Sequence, residues 1–192
     1  MEQSKRRLLA QIYVKTRLGI DPTEDIDTNL LDTLYNEGLL TENYRLTEEA
    51  RKKIKIGVIG GVFDIIHRGH IETLKEASKY VDTLVVIIAT DKTVLKMKGH
   101  PPINTAKERR YVVESIKYVD YAIIGDEKDF RKPIYLIDPD IIFLGYDQNI
   151  PPGITREDLR NRLIIRLNVE VEGVKTSIIK EKLKRIYLDS VK

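Results

Sequence analysis

Apolar positions along this chain follow two regimes. Up to residue 52 they recur at helical spacing. Leu8, Leu9, Ile12, Tyr13 and Thr16 share one face of a first helix, which Asp21-Pro22 breaks. Leu30, Leu31, Leu34 and Tyr35 mark a second helix, with Asp27 or Thr28 as its cap and Gly38 as its stop. Residues 39–46 read as a short hairpin, and Thr47-Glu48-Glu49-Ala50 opens another helix. From residue 53 onward, short β-branched runs alternate with longer periodic stretches. The spacing predicts strands over 55–59, 84–89, 121–124, 140–144 and 168–171. It predicts helices over 69–80, 105–117, 129–137, 155–166 and 176–187. Leu84 to Ala89 is apolar at every position, as a strand covered on both faces should be.

This order places the chain in the α/β class. The expectation is a Rossmann-like parallel five-stranded sheet with helices on both faces and right-handed crossovers. Two units are expected: a small, mainly helical module over 1–52, loosely similar to part of a winged helix, and a Rossmann-like domain over 53–192. In such sheets ligands bind outside the carboxyl ends of the strands.

Composition narrows the function. The 33 basic and 30 acidic residues nearly balance, so nucleic acid is not expected as the main partner. Lys5-Arg6-Arg7 and Arg51-Lys52-Lys53 read as solvated charge. The absence of cysteine excludes disulfides, thiolate metal sites and cysteine nucleophiles, and fits a cytoplasmic protein. No apolar run is long enough to cross a bilayer, and no signal peptide is expected behind Met1.

The candidate chemistry concentrates between Lys55 and His70. A buried strand runs into Gly60-Gly61, and two of the three histidines, His67 and His70, stand where a helix begins. Such a junction offers free backbone N–H groups and the positive end of a helix dipole, which favour an anion. Glycines let the backbone approach a ligand closely. Imidazole donors there suit a polyphosphate whose charge grows as a bond breaks.

Gly61-Val62-Phe63-Asp64-x-x-His67-x-Gly69-His70 resembles the signature of the cytidylyltransferase-like nucleotidyltransferases. The resemblance runs over residues 54 to 186. It implies that His67 and His70 contact nucleotide phosphates during attack at the α-phosphorus, with Gly61, Val62, Phe63, Asp64 and Gly69 around them. It further implies a phosphate-binding lysine at Lys98, on a glycine-hinged lid loop ending at Gly99, and a family arginine at Arg109. Asp91 reads either as the family's acid at a strand end or as a plain helix cap. Gly145-Tyr146-Asp147-Gln148 is similar to the corresponding stretch of archaeal FAD synthases. There Tyr146 could stack on a ring and Asp147 is a possible metal ligand. Glu172 to Lys180 is similar to the family's last motif, and places Thr176, Ser177 and Lys180 on the β- and γ-phosphates. Glu170-Val171 departs from the Arg-Thr of CTP-dependent enzymes.

The resemblance implies a nucleotidyltransferase joining a nucleoside triphosphate to a phosphate monoester, with Mg²⁺ and release of pyrophosphate. ATP with FMN, giving FAD, is the leading expectation. The alternatives are CTP with glycerol 3-phosphate or a similar alcohol phosphate, phosphopantetheine adenylyl transfer, and a nucleotide-sensing regulator with a DNA-binding amino-terminal module. A homodimer is expected, and no membrane association.

Overall fold

The computed structural model describes the chain except residues 152, 156, 160–161, 172–175 and 191–192, with backbone alone for 188–190. Among the described residues thirteen elements follow in order. Helices α1 (Gln3–Leu18), α2 (Thr28–Asn36) and α3 (Glu48–Arg51) come first. Then come β1 (Ile56–Gly61), α4 (Arg68–Ser78), β2 (Thr83–Ile88), α5 (Asp91–Lys98) and α6 (Ala106–Glu114). The remainder is β3 (Tyr121–Ile124), α7 (Arg131–Ile137), β4 (Ile141–Leu144), β5 (Leu163–Arg166) and α8 (Thr176–Ser190).

The five strands form one parallel sheet in the order β3-β2-β1-β4-β5, the Rossmann-like arrangement expected from the pattern. Alternation along the strands divides the core in two. Ile59, Leu84, Val86 and Ile88 pack with Leu74 of α4 and Val113 of α6. Ile56, Val58 and Val85 face the other way, against Ile137 of α7 and against Leu9, Ile12, Leu31 and Leu34 of the first two helices. The amino-terminal segment thus shares a continuous apolar core with the sheet.

Three ion pairs reinforce that junction. Arg6 meets Asp82 at 3.3 Å, Arg7 meets Asp120 at 2.6 Å, and Arg51 meets Asp140 at 3.0 Å. Each aspartate immediately precedes a strand. Asp82 accepts from the Lys55 amide, Asp120 from Leu84 and Asp140 from Ile56, each at 2.8 Å. These arginines are therefore tied to the sheet: Arg51 is largely withdrawn from solvent, while Arg7 keeps the exposure the sequence implied and is ion-paired as well. Arg51 also donates to the Asp138 carbonyl at 3.0 Å and lies 4.7 Å from the centre of the Tyr13 ring. Arg51→Ala is expected to lower stability by about 1–3 kcal/mol, because part-buried charge-assisted bonds are lost; a thermal melt checks it.

The structure departs from the expected pattern at five points. Helix α5 was not predicted. Its eight residues carry few apolar positions, and the N-cap Thr90, accepting from the Thr93 amide, starts it. Lys98 is consequently the last residue of a helix, closed by Gly99 at φ +74°, and does not sit on a lid loop. Within the predicted helix over 155–166, residues 157–159 instead form a turn and residues 163–166 form β5. Leu159 and Leu163 have helical spacing, but Ile164 and Ile165 are β-branched and residues 163–166 pair with β4. The predicted strand over 168–171 forms no ladder; Leu167 and Val169 pack into the core as loop residues. The first helix ends earlier than Asp21-Pro22, at Gly19 in the left-handed region with φ +71°.

Candidate active site

The site is built where β1 meets α4. Gly61 ends the strand, and a Cβ there would lie 2.5 Å from the Phe63 ring. Only glycine lets that ring fold back. Phe63 itself sits at φ +52°, a strained setting for a bulky residue, costing about 1–3 kcal/mol. Its ring packs against His70, centroid to centroid 5.1 Å.

Asp64 fixes the turn. Its carboxylate accepts from the Ile103 and Asn104 amides at 2.8 and 3.0 Å and from Lys180 Nζ at 3.2 Å, while Asn104 Nδ2 donates to the Asp64 carbonyl at 2.7 Å. Burial alone would raise this carboxyl, but those bonds hold it below the usual carboxylate range.

His67 is the N-cap of α4, and no side chain caps that helix. The rings of His67 and His70 stack at 3.8 Å with 20° between their planes. Nδ1 of each is buried without a hydrogen-bond partner among the described residues. Burial depresses the His67 pKa. Burial first, then the charges of His67 and Lys98, bring His70 down to about 4. Both shifts favour the neutral imidazole.

The last helix converges on the same place. Thr176 Oγ1 donates to the Ile65 carbonyl at 3.5 Å, and Lys180 bonds Asp64 one turn further on. The amino end of α8 therefore stands beside the turn that carries the histidines, although that end lies more than a hundred residues along the chain. Ser177 is exposed next to Thr176. The Glu172–Lys175 part of the last predicted motif lies outside the described residues.

Arg109 sits beneath this surface. It is 1 % exposed. Its guanidinium donates to the carbonyls of Asn104 at 2.9 Å, Val62 at 2.6 Å and Ala89 at 2.8 Å, and to Asp91 at 2.6 Å. It ties together the carboxyl ends of β1 and β2 and the start of α6. Asp91 is the first residue of α5, half exposed, with one oxygen on Arg109.

Beyond β4, Gly145 to Gln148 form a loop pinned from both sides. Gln148 accepts from the Gly145 amide at 3.0 Å and donates to the Gly60 carbonyl at 3.2 Å. Arg166, at the end of β5, donates to the carbonyls of Gly145, Tyr146 and Gln148 at 3.1, 3.3 and 2.5 Å. Asp147 is exposed. Arg166 and Asn104 were not found by sequence reasoning. The expected helix over 155–166 hid the first. The second sits in a Pro-rich loop whose partner lies forty residues upstream.

Next to the turn opens a mainly apolar cavity of about 480 Å³. It runs from Gly60, Gly61 and Val62, past Thr90 and Thr93, to Ile87, Phe130, Ile134 and Phe143, and reaches Asp147 and Gln148.

Comparison with known proteins places this arrangement. The sequence model of the Cytidylyltransferase-like family matches residues 58–183. The chain belongs to that family. It is therefore a nucleotidyltransferase, as the Gly61–His70 stretch led us to expect. Curated members include the FAD synthase of Pyrococcus horikoshii, 44% identical over 149 residues that cover 72% of this chain and 97% of that protein. The FAD synthase of Ferroglobus placidus is 46% identical over 128 residues, covering 66% of this chain and 76% of that protein. Among solved structures, the lipopolysaccharide core biosynthesis protein of Thermoplasma volcanium is 36% identical with a TM-score of 0.54, covering 62% of this chain and 99% of that one. In this cytidylyltransferase-like chain His67, His70, Asp64, Thr176 and Lys180 come together on one surface. Gly145–Gln148 join that surface through Gly60, and Lys98 reaches it as a charge felt by His70. Arg109 and Asp91 support it from below. Among the described residues no helix is long and apolar enough to cross a membrane.

Proposed function

We propose that this nucleotidyltransferase is an FMN adenylyltransferase, making FAD and pyrophosphate from ATP and FMN. One observation carries the proposal: the first turn of α8 bonds the Asp64–Ile65 turn, beside the stacked histidines. Two helix amino ends and two imidazoles then address one polyphosphate. The relatives named FAD synthase support ATP and FMN as the pair.

In this reading an FMN phosphate oxygen attacks the α-phosphorus of ATP. The bond from that phosphorus to the bridging oxygen breaks, and pyrophosphate leaves. His67 and His70 donate N–H bonds to the α-phosphate as charge builds there. Thr176, Ser177 and Lys180 hold the β- and γ-phosphates. Gly61, Val62, Phe63, Asp64 and Gly69 shape the turn that lets the nucleotide approach. Lys98 offsets charge on the attacking phosphate. Gly145, Tyr146, Asp147 and Gln148 border the nucleotide's base. Arg109 and Asp91 position the turn without touching substrate. Positioning and preorganised donors do this work, and no covalent protein intermediate is required.

No group of three or more His, Cys, Asp or Glu side chains could hold a metal among the described residues. The residues present fit a Mg²⁺ carried in on the triphosphate, with the exposed Asp147 carboxylate as the side chain that would hold it. When bound, the ion would neutralise phosphate charge. A DNA-binding role for the first fifty residues gains no support, because Arg6, Arg7 and Arg51 are engaged with the sheet's own aspartates.

The test is a panel of ATP and CTP against FMN, glycerol 3-phosphate and phosphopantetheine, followed by pyrophosphate release. Turnover with ATP and FMN is expected to exceed every other pair. Turnover only with CTP, or only with another acceptor, would replace the proposal. The neutral His70 gives a second check. With its pKa near 4 in the free protein, its NMR titration should lie well below that of an ordinary histidine. Adding ATP should raise it, because an anion favours the imidazolium. The unfolded chain binds this proton more readily than the folded one. His70 therefore contributes stability that is present above about pH 6.5 and lost as pH falls towards 4.

A further inference from the structure

The apolar cavity holds a polar pair that the chemistry above does not use. Thr90 and Thr93 line it, and they are 7 % and 6 % exposed. The Thr93 amide donates to Thr90 Oγ1 at 3.1 Å, and the two hydroxyls lie 2.9 Å apart. A threonine hydroxyl carries one hydrogen and two lone pairs. The pair therefore has two hydroxyl hydrogens and only one bond between them. Whichever oxygen donates, the second hydrogen has no acceptor among the described residues. Leaving a buried donor unmet is costly, so the pair fits a ligand that brings an acceptor. Asp147 and Asn149 stand at its exposed rim, and two further polar side chains of the lining are already engaged. Asp126 accepts from Lys132 and from the Lys128 and Asp129 amides, and Gln148 bridges Gly145 and Gly60.

We propose that the cavity takes the planar ring system of the acceptor, and that Thr90 donates to Thr93, whose own hydroxyl hydrogen is donated to a carbonyl oxygen or bare ring nitrogen on the ring's edge. This rests on the FMN adenylyltransferase reading and adds the residues that select the ring. The walls suit a flat heterocycle: Phe130 offers aromatic surface among aliphatic side chains, and about 480 Å³ lies within the range of small-molecule sites. The tether is suitable as well. Thr93 shares helix α5 with Lys98, whose charge reaches His70, and the cavity begins at Gly60–Val62, where the catalytic turn starts. A phosphate attached to a ring in the cavity is thus delivered to the histidines.

The test compares Thr93→Val, which keeps the shape and removes the hydroxyl, with Thr93→Ser, which keeps the hydroxyl. In the full chain Thr93→Val should raise the KM for FMN roughly tenfold, the loss expected for one neutral hydrogen bond. The KM for ATP should not follow it, and Thr93→Ser should recover most of the loss. Riboflavin, which lacks the phosphate, provides an independent readout through quenching of its fluorescence. Its binding should weaken in Thr93→Val by a similar factor. An unchanged FMN KM in Thr93→Val, or a rise in the ATP KM in its place, would overturn the proposal while leaving adenylyl transfer standing. If the unaltered chain fails to turn over FMN, the parent reading fails. Riboflavin then still decides the ring site: binding that weakens in Thr93→Val supports it, and no binding overturns it.

Discussion

Replacing His67 or His70 by alanine should lower kcat with ATP and FMN by about 10²–10³-fold, the effect of removing one preorganised donor from a developing oxyanion. The rings stack 3.8 Å apart, so they act as a unit. The double variant is therefore expected to fall little further than the worse single one. The fold should survive, because His67 caps α4 without a side-chain bond and neither Nδ1 has a partner to lose among the described residues. Thermal melts beside the kinetics separate the two effects. A His67 variant that melts normally and turns over normally would remove this ring from the chemistry.

Arg109→Met should damage the fold and the site together. Four of the five guanidinium N–H groups are spent, three of them on backbone carbonyls at positions 62, 89 and 104. Removing the head leaves those carbonyls buried and unpaired. The expected loss is about 3–5 kcal/mol, in the range seen when one side of a buried charged network is deleted. Turnover should fall with it, because Val62 and Asn104 flank the turn that Asp64 holds. Lysine keeps the charge but cannot reach four acceptors lying in different directions, so Arg109→Lys should recover little. Chemical denaturation and kcat measured on the same samples check this. A stable Arg109→Met protein with depressed kcat would instead place the guanidinium against substrate.

What the sequence disclosed follows from how local each signal is. Strand β1, the glycine pair and the two histidines were legible because the residue types of one short stretch are unusual together. The parallel sheet was legible from the alternation of β-branched runs with helical ones, and Leu9 and Ile12 could be assigned to a core from spacing alone. Three kinds of feature were hidden. Arg109 stood out as a family residue, but nothing in its neighbourhood reveals that its partners are carbonyls from three other segments. The arginines at 6, 7 and 51 read as surface charge, since their aspartates lie at distant strand starts. Residues 163–166 misled because leucines four apart fit a helix, while only pairing with β4 makes them a strand. Each miss is a tertiary contact overriding a local preference.

The central claim is that the histidine turn and the amino end of α8 form one triphosphate cradle. A crystal structure with a non-hydrolysable ATP analogue and FMN tests it most directly. The expected result is an α-phosphate within hydrogen-bond reach of His67 and His70, and β- and γ-phosphates at Thr176, Ser177 and Lys180. A triphosphate seated away from either set of residues would contradict it.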